Sequence, residues 1–234
     1  MIGEYLAYDQ TKIGYRIWLP KQTKAIILVI HGLGSHSGHY EEFGKFMAMR
    51  DICVYAIDLR GFGNSKFKLN RLRTFSKYIS DIEQLVKIAQ TQFPGKPIYL
   101  LGESLGAVIG INSALLIQKK LDGLILVSPA VIPYISFRFL LEIATRIYRK
   151  SLSDIPTPYP LEKITSDINY LNDIKFDPLY KTKIPFYFGK IMWESQKESQ
   201  KKVKSIRLPV LIIHSTKDRI VKLKGAKRIY KNLN

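Results

Sequence analysis

YLLGESLGAV, residues 99–108, places a serine between two glycines where one apolar run ends and another begins. The run before it, PIYLL, shows no polar alternation, as expected of a short strand buried on both faces. The stretch after it, LGAVIGINSALLIQKK, reads as a helix. A strand that turns at once into a helix, with Ser104 in the bend, fits a nucleophile elbow. Backbone there is strained, so small residues must flank the serine, and Gly102 and Gly106 meet that need. A helix starting at Leu105 directs its dipole and free N–H groups at the bend. Ser104 is therefore the candidate nucleophile, and a serine nucleophile needs a base.

The same strand signal recurs along the chain, in KAIILVIHG, ICVYAIDLRG, DGLILVSPA and LPVLIIHS. Helical patterns stand between the runs, in GHYEEFGKFMAMR and TFSKYISDIEQLVKIAQTQF as well as after Ser104. Strand alternating with helix implies an α/β fold, with a mostly parallel central sheet and helices on both faces. A hairpin is expected in front of it, from EYLAY and YRIWLP around DQTKIG. The alternation breaks after Pro129, and no strand run is evident from Ala130 to about Arg207. This predicts a first core part at 1–129, a helical cap at 130–207 and a second core part at 208–234. Within the cap, ISFRFLLEIATRIYRK has helical apolar spacing, and PFYFGKIMWESQKESQKKVK forms a second helix.

Composition narrows the class. The 234 residues are 46% hydrophobic, enough for a buried core. No stretch reaches the roughly 18 apolar residues of a membrane span. MIGEYLAYDQ carries neither a basic leader nor an apolar segment, so no signal peptide is expected. The single cysteine, Cys53, excludes an intrachain disulfide and reads as a buried small hydrophobe. A cytoplasmic protein is expected from these features. The net charge of +18 attracts anions. The cations are scattered, however, with no zinc-ligand spacing and no RNA-binding aromatic signature, so specific nucleic-acid binding is not expected.

Two more segments bear chemistry. HGLGSHSGHY follows a strand, and such a glycine-rich turn lets a backbone N–H point into a site. The N–H groups of Leu33 and of Leu105, the residue after the nucleophile, are the candidate oxyanion hole. HSTKDRIV follows the last strand, and Asp218 there is placed as the acid that orients an imidazole.

Together these segments identify a resemblance. HGLGSHSGHY, AIDLRGFGNS, LLGESLGAV, the DPL at Asp177 to Leu179, and LPVLIIHSTKDRIV occur in the order seen in the monoacylglycerol lipase and lysophospholipase family of α/β-hydrolases. The resemblance implies a serine esterase with a helical cap over an acyl tunnel, acting on lipid esters without metal or cofactor. Phe137, Leu141, Ala144 and Tyr148 would then line the acyl pocket. Arg138, Arg146, Arg149 and Lys150 would meet an anionic membrane surface. Other serine hydrolases of the fold, such as aminopeptidases and thioesterases, share these motifs, and a non-catalytic relative is a further alternative. His39 departs from the family, which carries arginine before the tyrosine.

The four histidines are His31, His36, His39 and His214. In the family the catalytic histidine follows the acid by one further strand, and none here comes after His214. His31 opens its loop and is expected to orient backbone. His36 and His39 flank the oxyanion loop on the wrong side of the nucleophile, and His214 precedes the acid in a strand. The expected base is therefore absent, and a C-terminally truncated chain is expected. LPVLIIHS would then present an unpaired apolar edge.

Overall fold

Alternate residues of the short apolar runs are buried on opposite faces of one sheet, which is why the runs lack polar alternation. In the computed structural model, residues 1–132, 154–157 and 159–233 are described. Strands β1 (Ile2–Leu6), β2 (Lys12–Trp18), β3 (Ala25–Ile30), β4 (Ile52–Ile57), β5 (Ile98–Glu103), β6 (Gly123–Val127) and β9 (Val210–Ile213) form a sheet in the order β1-β2-β4-β3-β5-β6-β9. The β1–β2 and β2–β4 pairs are antiparallel, and the rest are parallel. This is the expected α/β sheet with its leading hairpin.

On β3, Ile26, Leu28 and Ile30 join the larger core, while Ile27 and Val29 pack with Phe43 and Met47 of α1 (Glu41–Ala48) on the other face. The larger core is covered by α2 (Ser76–Gln92) and α3 (Leu105–Ile117). Helix α3 is apolar nearly all round, so it must be enclosed on every side. The sheet covers one side, and α5 (Phe186–Lys202) covers another, where Asn112 Nδ2 donates to Ser195 Oγ at 2.8 Å. Helix α6 (Leu223–Asn232) sets Gly225, Ala226 and Ile229 inward.

The segment between β6 and β9 differs from expectation in one respect. It contains a two-stranded antiparallel sheet, β7 (Asp154–Pro156) with β8 (Lys183–Pro185). Three-residue strands ending in proline carry too little sequence for a periodic signal. Helix α4 (Ile168–Phe176) lies between them, with Asp167 accepting from the Asn169 and Tyr170 N–H groups at its start. The expected pocket residues Phe137, Leu141, Ala144 and Tyr148, and the basic Arg138, Arg146, Arg149 and Lys150, lie outside the described residues. Among the described residues β9 pairs only with β6, and Leu211 and Ile213 on it are about half exposed.

One buried ion pair ties the loop after β4 to α2. Arg60 is 2% exposed and donates to both oxygens of Asp81, Nε at 2.5 Å and Nη2 at 2.7 Å. Its remaining nitrogen donates to Asp9 and Thr11 at 2.8 Å. Breaking such a pair leaves a buried charge unmatched, at a cost of about 3–5 kcal/mol. Exposed pairs such as Lys12 with Glu4 contribute about 0–1 kcal/mol. Asp81→Ala is therefore expected to lower the urea unfolding free energy by about 3–5 kcal/mol and Lys12→Ala by under about 1 kcal/mol; equal losses would contradict the assignment.

Candidate active site

Ser104 sits where β5 ends and α3 begins, with φ +53° and ψ −110°. An L-residue is held there at a cost of about 1–3 kcal/mol, so the surroundings must enforce it. They do so by close approach. A Cβ on Gly106 would lie 2.1 Å from the Ile30 carbonyl oxygen, and one on Gly102 would lie 2.4 Å from the Gly106 carbonyl oxygen. Neither contact is tolerable, so both positions admit only glycine. The Ser104 N–H donates to Val127 O at 2.9 Å, and its carbonyl accepts from Ala107 and Ala130 at 3.2 Å.

The loop after β3 lies against this bend. A Cβ on Gly32 would stand 3.5 Å from Ser104 Cβ. His31 fastens the loop from beneath: its Nδ1–H donates to Gly32 O at 2.7 Å, and its Nε2 accepts from the Leu59 N–H at 3.1 Å. Its ring is fully buried and edge-on to Phe62. Burial pushes its pKa down to about 4, so it is neutral and structural. From above, Tyr159 OH donates to Leu33 O at 3.0 Å, and the Lys181 N–H donates to Gly34 O at 2.9 Å. The Leu33 and Leu105 N–H groups have no acceptor among the described residues.

Asp218 follows β9, and its Oδ1 accepts the Ile220 and Val221 N–H groups, both at 2.8 Å. This fixes the carboxylate on the wall of the cleft that Ser104 also lines. That cleft, of about 610 Å³, is bounded by Leu33, Glu103, Tyr159, Tyr170 and Tyr180 as well. Glu103 accepts from Tyr40 OH, and burial pushes its carboxyl up. A second, apolar pocket opens from Ser104 and Leu33 toward Leu105, Ala130, Ile132, Met192 and Val221. The two hollows share Ser104, Leu33, Tyr159, Lys163, Arg219, Ile220 and Val221. Of the sequence candidates, Ser104, Leu33, Leu105 and Asp218 thus gather at one place.

The histidines do not gather there in the same sense. Among the described residues no hydrogen bond joins the Ser104 hydroxyl to any of them. His214 Nε2–H donates to Val221 O at 3.1 Å and lies 3.5 Å from Asp218, while its Nδ1 is buried without a partner. His36 bonds to Asp177. His39 lines the Ser104 cleft rather than facing away from it, yet both its nitrogens are engaged, by Ser35 and Asp177.

Tyr159, Met192 and Gln196 line the hollows without having stood out in the sequence. Met192 and Gln196 are one helical turn apart on α5, a spacing that core packing also produces. Tyr159 sits in the proline-studded connector, where no periodicity exists to read.

His36, His39 and Asp177 each offer one ligand atom within 4.8 Å of the others, the spacing of a metal centre. The tautomer argues against that use. His36 Nδ1 accepts the Gly38 N–H at 3.0 Å, so its proton resides on Nε2, the atom a metal would need.

A family model described as serine aminopeptidase, S33, matches residues 21–234. A monoglyceride lipase homolog of Monkeypox virus is 28% identical over 224 residues, covering 93% of this chain and 80% of the relative. The monoglyceride lipase of Homo sapiens is 29% identical over 218 residues, covering 90% and 71%. The crystal structure of Paleococcus ferrophilus monoacylglycerol lipase superposes with TM-score 0.81 at 22% identity, covering 95% of this chain and 84% of that one.

The state of His31 makes a pH test. Its folded pKa is below the ordinary 6.5, so neutral His31 contributes stability that is complete above 6.5 and is lost as the pH falls toward about 4. Urea unfolding between these values should steepen with acid by up to about 1.4 kcal/mol per pH unit through this one proton. His31→Gln should remove that part of the slope; an unchanged slope would contradict the assignment.

Proposed function

The chain belongs to the serine aminopeptidase S33 family on the α/β-hydrolase fold, and from that membership we propose that it is a serine carboxylester hydrolase acting on lipid esters of the monoacylglycerol or lysophospholipid type. The observation that carries this reading is the pair of hollows meeting at Ser104 and Leu33, one mostly apolar and one of evenly mixed polarity. An ester whose carbonyl rests at their junction places its acyl chain against Ala130, Ile132 and Met192. Its alcohol then faces Glu103, Tyr170 and Tyr180. The monoglyceride lipases named above support an ester of that shape.

In this proposal Ser104 Oγ attacks the acyl carbon, and the Leu33 and Leu105 N–H groups take the negative charge that develops on the carbonyl oxygen. Asp218 orients the imidazole that removes the serine proton. None of the four histidines is that imidazole, because His31, His36 and His39 have both nitrogens engaged and the enclosed side chain of His214 gives its Nε2–H to Val221 O. Without a base, a serine hydrolase retains the contributions of its oxyanion hole and of binding, and kcat is on the order of 10⁶ lower.

The segment 130–207 is proposed as the cap, since Tyr159, Lys163, Met192 and Gln196 from it line the hollows. Peripheral contact with an anionic lipid surface belongs to the same proposal and is supported by the net charge of +18. Among the described residues no helix is long and apolar enough to cross a membrane.

The test supplies free imidazole as an external base. Residues 1–234 are given a monoacylglycerol emulsion, with and without imidazole, beside Ser104→Ala under the same conditions. Imidazole should raise ester hydrolysis by at least tenfold over the Ser104→Ala rate, while aminoacyl anilides stay uncleaved. Esters hydrolysed no faster than by Ser104→Ala would overturn the proposal, and preferential cleavage of the anilides would reassign it to an aminopeptidase.

A further inference from the structure

A histidine of this chain does serve a serine, but the serine is Ser35. In the loop after β3, Ser35 Oγ lies 2.9 Å from His39 Nδ1. The other ring nitrogen, His39 Nε2, lies 2.9 Å from Asp177 Oδ2. Asp177 is itself held, its Oδ1 accepting the Leu179 N–H at 2.8 Å and its Oδ2 accepting His36 Nε2–H at 2.6 Å. The His39 ring is fixed by stacking on Tyr180 and by an edge contact with Tyr170, both at 5.8 Å between centroids. Ser35 and His39 open into the cleft that Ser104 lines.

We propose that Ser35, His39 and Asp177 form a second hydrogen-bonded relay, in which His39 activates the Ser35 hydroxyl as an acceptor for activated acyl and phosphonyl electrophiles that enter the cleft. The tautomers follow from the partners. A carboxylate only accepts, so His39 carries its proton on Nε2 and offers the Nδ1 lone pair to Ser35. Burial, followed by the nearby His36, holds the His39 pKa below its ordinary value, so the lone pair is free at neutral pH. Burial pushes the Asp177 carboxyl up, but its hydrogen bonds from His36, Leu179 and His39 outweigh this and keep it ionised.

A bond forms between Ser35 Oγ and the acyl carbon or phosphorus as the bond to the leaving group breaks. The serine proton passes to His39 Nδ1 and then to solvent as fluoride or p-nitrophenolate leaves, or to the alkoxide that leaves from an alkyl ester. Asp177 stabilises the transient imidazolium. Some nearby amides are already taken: the Ser35 N–H by Gly32 O at 3.3 Å, the Ser37 N–H by Asp58 at 2.7 Å and the Gly38 N–H by His36 at 3.0 Å. Ser35 thus has a base, and strongly activated electrophiles, whose leaving groups depart readily, should react with it once and remain attached.

The experiment treats the full chain carrying Ser104→Ala with an alkyl fluorophosphonate and, separately, with p-nitrophenyl acetate. The modified residue is then located by fragmentation mass spectrometry. An adduct on Ser35 is expected, absent when Ser35→Ala is added. Its formation rate should fall at least about 100-fold in His39→Phe, which keeps a ring against Tyr180 but removes the base. Asp177→Asn, with near-ultraviolet circular dichroism confirming the fold, should slow it at least tenfold. No adduct on Ser35, an adduct on Ser37 or His39 instead, or a rate indifferent to His39→Phe would overturn the proposal. Ser104 is read separately from its own adduct in Ser35→Ala, so the two serines stand or fall independently.

Discussion

The contact between Gly106 and the carbonyl of Ile30 is the constraint on which the site depends. It lets α3 start directly against β3, with no room for even one methyl group. Because α3 starts there, β5 must reverse into it within a single residue, and Ser104 takes up positive φ. That backbone is costly alone and is held by what surrounds it: Gly102 beneath, the Val127 carbonyl beside it, and the largely buried helix behind. The same closeness brings the loop after β3 alongside, so that Leu33 and Leu105, from different elements, line the same hollow as Ser104.

Much of this was legible in the sequence because it follows from local rules. Parallel strands buried on two faces must be apolar at consecutive positions, and β3, β4, β5 and β6 are so in plain view. The glycines around Ser104 and the Asp218 turn are equally local. What escaped notice depends on distant pairing. The small sheet of β7 and β8 joins residues about thirty apart through strands too short to show a period. The bond from Tyr159 to Leu33 spans 126 positions, and that from His39 to Asp177 spans 138. Asp177 stood in a motif, DPL, whose chemistry only its partners disclose.

The cleft divides the parts of a serine hydrolase unevenly. Ser104 has the strained bend, the two amides and the carboxylate of Asp218 on its wall, with no imidazole bonded to its hydroxyl among the described residues. Ser35 has the imidazole of His39 and the carboxylate of Asp177 behind it. His39 accounts for the second arrangement: it accepts from Ser35 with one nitrogen and donates a hydrogen bond to Asp177 with the other, which an arginine at that position could not do. His31, by contrast, is spent on backbone, and its neutrality keeps the loop under Leu33 in place.

The central claim is that the Ser104 hydroxyl faces the N–H groups of Leu33 and Leu105. A crystal structure of the chain with an alkylboronate or phosphonate attached to Ser104 tests it most directly. The account predicts one oxygen of the tetrahedral adduct about 2.7–3.1 Å from both backbone nitrogens, with the alkyl chain directed toward Met192. An adduct whose oxygens all point away from those two amides would contradict it.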